Sequence, residues 1–304
     1  MRAALGRRVA LVQGPPGTGK TRAAAALLGA SAATHAELGE GGGVLAVAAS
    51  NVAADELLEA ARARGVDAIR LGAPAVVRES LRGATVDARV AQVPSVMAAR
   101  EALAAAQNGA NPAAVAAAFD AAQREERAAA RRILLRSAVV VTTCIGAGRL
   151  RQLLAAPPSA GKGGGDGALG GAAARFRTVL IDEATQSVEP ASLVPLLYGC
   201  EQLVLVGDQK QLPPTVTSRD AEKGGLALSL FDRLQAAGVA PLLLRRQYRM
   251  HPALAEVVSR QSYDGKVTSA VEAADRPPPA GVRWPSAACP VLFENVVGPE
   301  AARD

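Results

Sequence analysis

Residues 14–21 read GPPGTGKT, and no other stretch of the 304-residue chain restricts its fold so tightly. The stretch fits G-x-x-x-x-G-K-[ST] at every fixed position. An apolar run, Val9 to Val12, leads in and reads as a short buried strand, while the alanine-rich residues 21–28 lead out as a helix. Between them, Gly14, Gly17 and Gly19 tolerate the positive φ that a loop needs to turn successive backbone N–H groups inward. The helix N-terminus adds further N–H groups and a dipole that favours anions. Gly14, Pro15, Pro16, Gly17, Thr18 and Gly19 then cradle the phosphates of a nucleotide. Lys20 reaches the β- and γ-phosphates, and the Thr21 hydroxyl holds Mg2+.

The rest of the chain repeats the strand-then-helix pattern. Residues 44–49 form an unbroken small-apolar run, as expected for a strand buried on both faces of a parallel sheet. A helix is predicted over 53–64, with Leu57, Leu58 and Ala61 on one face, and further strands over 68–71, 138–142, 178–181 and 203–206. Such alternation implies an α/β fold with a doubly wound parallel sheet. Residues 74–136 break the pattern with helical segments at 95–107 and 112–136, too long for a connection, and read as a helical insertion. The charges at 124–127 and 131–132 suit either a solvated face or a nucleic-acid contact. In 156–175, 7 of 20 residues are glycine, which reads as a flexible linker. A helix over 226–237, a strand over 241–244 and a late strand over 290–293 complete the prediction. Gly238 is taken as the boundary between a first domain, 1–238, and a second, 239–304.

Each strand is followed at once by polar residues: Ser50-Asn51, Thr142-Thr143, Asp182-Glu183 and Gly207-Asp208. In open α/β sheets ligands bind at the carboxyl ends of the strands, so these residues should meet the phosphate loop there. Hydrolysis of a nucleoside triphosphate needs held phosphates, a metal, an oriented water and a cation on the developing charge. Asp182 is placed to engage Mg2+, Glu183 to orient or deprotonate water, and Gln211 to sense the γ-phosphate or the water.

Six stretches, GPPGTGKT, ASNVAADEL (49–57), VVTTCIGAG (140–148), VLIDEATQS (179–187), LVGDQKQLPP (205–214) and RQYRMHP (246–252), resemble the ordered motifs of superfamily 1B DNA/RNA helicases. The group containing senataxin and the nonsense-mediated-decay helicase is the most similar. GPPGTGKT alone fits AAA+ ATPases equally well; the other motifs in this order do not. The resemblance implies a RecA-like P-loop NTPase domain with a helical insertion, followed by the start of a second RecA-like domain. It implies ATP and Mg2+ as cofactors, Lys20 and Thr21 on phosphate and metal, Asp182 on metal, Glu183 as catalytic base and Gln211 as γ-phosphate sensor. Tyr248 would stack on adenine, and Arg249 would serve as an arginine finger. Ser50, Asn51, Thr142 and Thr143 match motifs that touch single-stranded RNA or DNA, although such residues are also ordinary turn formers.

The family's adenine-reading glutamine and accessory barrel upstream, and its last motifs downstream, have no counterpart here. The sequence therefore reads as a helicase core cut at both ends, expected to hydrolyse ATP slowly without unwinding duplexes. A non-catalytic nucleotide- or nucleic-acid-binding remnant is the alternative. Four Phe, three Tyr and one Trp make an aliphatic core and leave few platforms for bases. The net charge of +6 suits a polyanionic partner. Cys144, Cys200 and Cys289 lie far apart with no C-x-x-C, so neither a zinc site nor a disulfide framework is indicated. No apolar run reaches the roughly 20 residues of a membrane span. A soluble monomer in the nucleus or cytoplasm is expected.

Overall fold

The computed structural model describes residues 2–37, 43–109, 111–155, 176–286, 290–295 and 297–298. The glycine-rich stretch 156–175 and Cys289 lie outside the described residues. Contacts divide the chain into two units. The first comprises Met1–Gln13 and Lys20–Leu242, and the second Gly14–Gly19 and Leu243–Asp304. Gly238 falls inside the first unit, where its φ of 95° follows a helix end.

The first unit is built on a sheet whose strands are β1 (Val9–Gln13), β2 (Val44–Ala48), β3 (Ala68–Arg70), β4 (Val139–Thr143), β5 (Thr178–Asp182), β6 (Gln202–Gly207) and β7 (Leu242–Leu243). Their order is β3-β4-β2-β5-β6-β1-β7. The ladders among β1 to β6 are all parallel. All five residues of β2 and of β5 are buried, as central strands covered on both faces require. Leu45, Val47, Val179, Ile181, Leu203 and Leu205 face one cluster with Leu150, Tyr198 and Phe231. The helices Lys20–Glu37 and Asn51–Arg62 pack on one another, and the first of them also rests on β2, β5 and β6. The α/β architecture and its parallel sheet are those the sequence implies.

Local chemistry sets the helix ends. Ser50 caps Asn51–Arg62 by accepting from Ala53 N at 3.2 Å, so this helix starts earlier than the apolar spacing alone suggests. The helix expected over 226–237 begins only at Leu230, because Ser229 caps it by accepting from Asp232 N at 3.1 Å. The insertion holds short 3-10 turns, the helix Val86–Ala91 and a hairpin of Pro94–Gln107 with Pro112–Arg136. In that hairpin Glu126 pairs with Arg100 at 2.7 Å on an exposed face, so this part of the charged stripe joins helices. Residues 290–293 form no strand. They have no ladder partner among the described residues, and Val291, Leu292 and Phe293 are exposed.

One buried polar network joins β3, the helix Asn51–Arg62 and the insertion. Arg70, fully buried, donates from Nε to Asp55 at 2.9 Å, from one terminal nitrogen to Asn51 Oδ1 at 2.9 Å and from the other to Leu71 O at 2.6 Å. Asp55 also accepts from Arg78 N at 2.8 Å. The guanidinium is thus matched on three sides, which makes its burial tolerable.

In the second unit, β8 (Arg246–Gln247) and β9 (Thr268–Ser269) pair in parallel, with the helix Pro252–Tyr263 between them in sequence. This is a single βαβ unit.

Removing Asp55 leaves a buried cation without its counter-charge. Asp55→Ala is expected to lower unfolding stability by about 3–5 kcal/mol in urea denaturation. A loss under about 1 kcal/mol would contradict the network's role.

Candidate active site

The registers bring the predicted residues to one edge. Ala48 lies opposite Thr143 on one side and Asp182 on the other, and Gln13 lies opposite Gly207. The residues that follow β1, β2, β4, β5 and β6 therefore leave from the same side of the sheet.

Within the first unit, Lys20 Nζ lies 3.7 Å from Glu183 Oε1, both side chains being largely shielded from solvent. Asp182 is 1% exposed and its carboxylate is hydrogen-bonded by the Thr21 hydroxyl. Burial, then the adjacent Glu183 charge, pushes Asp182 up to about 7. The Glu183 N–H, which donates to Asp182 at 3.0 Å, together with Lys20 and the Thr21 hydroxyl, offsets only part of that. Glu183 has φ 51° and ψ 41°, a left-handed backbone that a glutamate adopts only at a cost of about 1 kcal/mol or more. Such strain is held where the surroundings dictate it, here between β5 and the turn Ala184–Gln186. The Gln186 amide then donates to Glu183 Oε2 at 3.2 Å.

Gln211 lies beyond β6 and donates from Nε2 to Asp208 Oδ2 at 2.6 Å. Asp208 Oδ1 accepts from Gln13 Nε2 at 3.2 Å and from Lys210 N at 3.3 Å. Gln13 did not stand out in the sequence, and Asp208 was read there only as a polar residue at a strand end; both are buried.

Within the second unit, Gly17 has φ 74° and Gly19 φ 80°. Gly14, expected to share that conformation, does not. Thr18 closes the loop through its hydroxyl, which donates to Pro15 O at 2.7 Å. Gly17 is doubly constrained, because a Cβ there would meet Arg249 Cβ at 2.6 Å. Tyr248 N donates to Gly17 O at 2.8 Å. The residue that shapes this segment is Gln247, fully buried. Its Oε1 accepts from Arg249 N at 2.8 Å and Met250 N at 2.7 Å, and its Nε2 donates to Met250 O and Ser269 Oγ. Arg276 holds the same turn from outside by donating to Tyr248 O and Arg249 O. Tyr248 is 48% exposed.

The nucleic-acid candidates fare unequally. Thr142 is 1% exposed and donates its hydroxyl to Leu71 O at 2.8 Å, so burial removes it from any surface. Ser50 serves as the helix cap, and Thr143 Oγ1 accepts from Gly146 N at 3.0 Å. Asn51 gives its oxygen to Arg70, which turns its NH2 end away from that partner. Val52 and Ile145 expose apolar surface beside these residues, a feature the sequence reading passed over.

Two open cavities of about 560 and 460 Å³ lie elsewhere in the first unit, and neither is lined by Lys20, Asp182 or Glu183.

A family model described as an AAA domain matches residues 1–114 and 113–219, and a second of the same description matches 226–304. The chain belongs to the AAA domain family. Among curated relatives of this AAA domain, the "Regulator of nonsense transcripts 1 homolog" of Neurospora crassa is 46% identical over 127 residues, covering 41% of this chain and 12% of the relative. The "ATP-dependent helicase NAM7" of Saccharomyces cerevisiae is 43% identical over 120 residues, 39% of this chain and 12% of the relative. The "5'-3' DNA helicase ZGRF1" of Mus musculus is 43% identical over 128 residues, 41% of this chain and 7% of the relative. The chain thus spans about a tenth of the length of these relatives. Two of these relatives carry the name helicase, in keeping with the superfamily 1 resemblance of the motifs.

The folded Asp182 holds its proton more tightly than an unfolded aspartate, which titrates near 3.8. The stability this group contributes therefore falls as pH rises from 3.8 to about 7. Asp182→Asn should be the more stable protein at pH 8, by about 1 kcal/mol or more, with the gap closing in acid. Urea titrations at several pH values measure this, and a variant less stable than the parent at pH 8 contradicts it.

Proposed function

We propose that the chain is an ATP-hydrolysing helicase core that couples hydrolysis to single-stranded nucleic acid. The observation that carries this reading is the meeting of Lys20, Thr21, Asp182 and Glu183 at one sheet edge.

The donor set fits Mg2+. A hydroxyl and one carboxylate, already hydrogen-bonded to each other, offer hard oxygen ligands, and Mg2+ commonly takes one or two protein oxygens and keeps its waters. Among the described residues there is no group of three or more His, Cys, Asp or Glu that could hold a metal ion. When bound, Mg2+ neutralises charge on the β- and γ-phosphate oxygens.

The chain's own residues supply the rest. Backbone N–H groups of Gly14 to Thr21 hold the phosphates, and Lys20 balances charge on the transferred group. Glu183 accepts a proton from water as the water oxygen bonds the γ-phosphorus. The bond from the γ-phosphorus to the bridging oxygen then breaks, and ADP leaves with the electron pair. Arg249, whose backbone packs against Gly17, is assigned to the developing charge, and the exposed Tyr248 to the adenine ring. Ser50, Asn51 and Thr143, at the ends of β2 and β4, are assigned to the nucleic-acid backbone. The NH2 end of Asn51 suits a phosphate oxygen. Motif order supports these roles, and a monomeric, intracellular protein completes the proposal.

Phosphate release by the purified chain should be Mg2+-dependent, rise with single-stranded RNA or DNA and fall at least about a hundredfold in Lys20→Ala. Nucleotide binding without turnover in the parent chain supports the non-catalytic alternative instead.

A further inference from the structure

Asp208 is placed to decide which end of the Gln211 amide the reaction meets. Its side chain is buried at the end of β6, and its two carboxylate oxygens have different partners. Oδ1 accepts from Gln13 Nε2 and from the Lys210 backbone N–H, whereas Oδ2 accepts from Gln211 Nε2 at 2.6 Å. Amide orientation is ordinarily an assignment made from the hydrogen-bond network. Here the network leaves one answer, because a carboxylate only accepts and must face the NH2 of Gln211. The carbonyl oxygen of Gln211 is thereby turned away from Asp208. Asp208 is itself held in place, since its backbone N–H faces Thr185 Oγ1 at 3.3 Å and Thr185 Oγ1 lies 3.4 Å from its carbonyl. Packing adds to this, because a Cβ on Gly207 would meet the Thr185 side chain at 2.9 Å.

We infer that Asp208 is a positioning residue that fixes Gln211 with its carbonyl oxygen directed to the attacking water. The inference rests on the hydrolase reading proposed above and sharpens it. A γ-phosphate oxygen can only accept, so it has no use for a carbonyl, whereas water can donate to one. Gln211 orients the water through its Oε1.

Asp208→Asn separates this role from simple packing, because the variant keeps the shape and changes one atom's hydrogen-bonding sense. The Lys210 N–H cannot turn round, so the asparagine oxygen must stay at the Oδ1 position. Its NH2 then falls opposite Gln211, whose amide must flip and spend its oxygen on position 208. The Gln13 hydrogen bond survives.

The test is made on the full chain with nitrogen-15 in its glutamine side chains, the Gln211 signal being assigned by its loss in Gln211→Ala. In Asp208→Asn the Gln211 side-chain amide signal should shift and lose protection from exchange, while that of Gln13 stays. The value of kcat should fall about tenfold or more, with KM for ATP within about twofold. In a Gln211→Ala background, Asp208→Asn should change kcat no further. An unmoved Gln211 signal, or kinetic losses that add in the double variant, overturns the assignment to Asp208. Absence of turnover in the parent chain overturns the hydrolase reading and the water's role with it, and the amide signals still decide the arrangement.

Discussion

The rest of the structure depends on the parallel ladders joining β2 to β5, β5 to β6 and β6 to β1. A parallel strand must start each time from the same side, so every strand end in such a sheet falls on one edge. Once Ala48 stands opposite Asp182 and Gln13 opposite Gly207, residues nearly two hundred positions apart become neighbours. The hydrogen bond from Gln13 to Asp208 is a direct product of that register. The aliphatic core makes the sheet rigid, and the polar residues at its edge inherit their positions from it.

The edge carries costs that the core sustains. Asp182 is buried with its carboxyl pushed up to about 7, and Glu183 takes a left-handed backbone immediately after it. Both features oppose stability in the isolated chain and both suit a site that receives a cation and phosphates. At the β3 end of the sheet, the buried Arg70–Asp55 pair performs a different service, tying the start of the insertion to the helix that follows β2. The two networks share a design. In each, a buried charged group fixes the orientation of an amide, Asn51 in one and Gln211 in the other.

Much of this was legible in the chain, and the reasons it was or was not are physical. Runs such as 44–49 and 203–206 read as strands because both faces of a parallel strand are buried and their composition shows it. GPPGTGKT and the Asp182-Glu183 pair stood out because their spacing is short and phosphate and metal sites draw on those residue types. Arg70 was not, since an arginine inside an apolar strand gives no local hint that its partners sit at Asn51 and Asp55. Gln247 was passed over beside Tyr248 and Arg249, although its four hydrogen bonds hold their turn, because a buried amide shows itself only through tertiary contacts. Residues 290–293 had the apolar content of a strand, but a strand requires a neighbour as well as a sequence. Thr142 and Thr143 looked equivalent in sequence, but β4 is buried on both faces as far as Thr142, and only Thr143, its last residue, is partly open.

The central claim is that Lys20, Thr21, Asp182 and Glu183 meet phosphates and metal at one edge of the sheet. A crystal structure of the chain grown with Mg2+, ADP and beryllium fluoride tests it most directly. The account predicts the phosphates against the backbone of Gly14 to Thr21, Lys20 on the fluoride group, and Mg2+ reached by the Thr21 hydroxyl with Asp182 beside it. Nucleotide found at another edge of the sheet, or no nucleotide at saturating concentration, would contradict it.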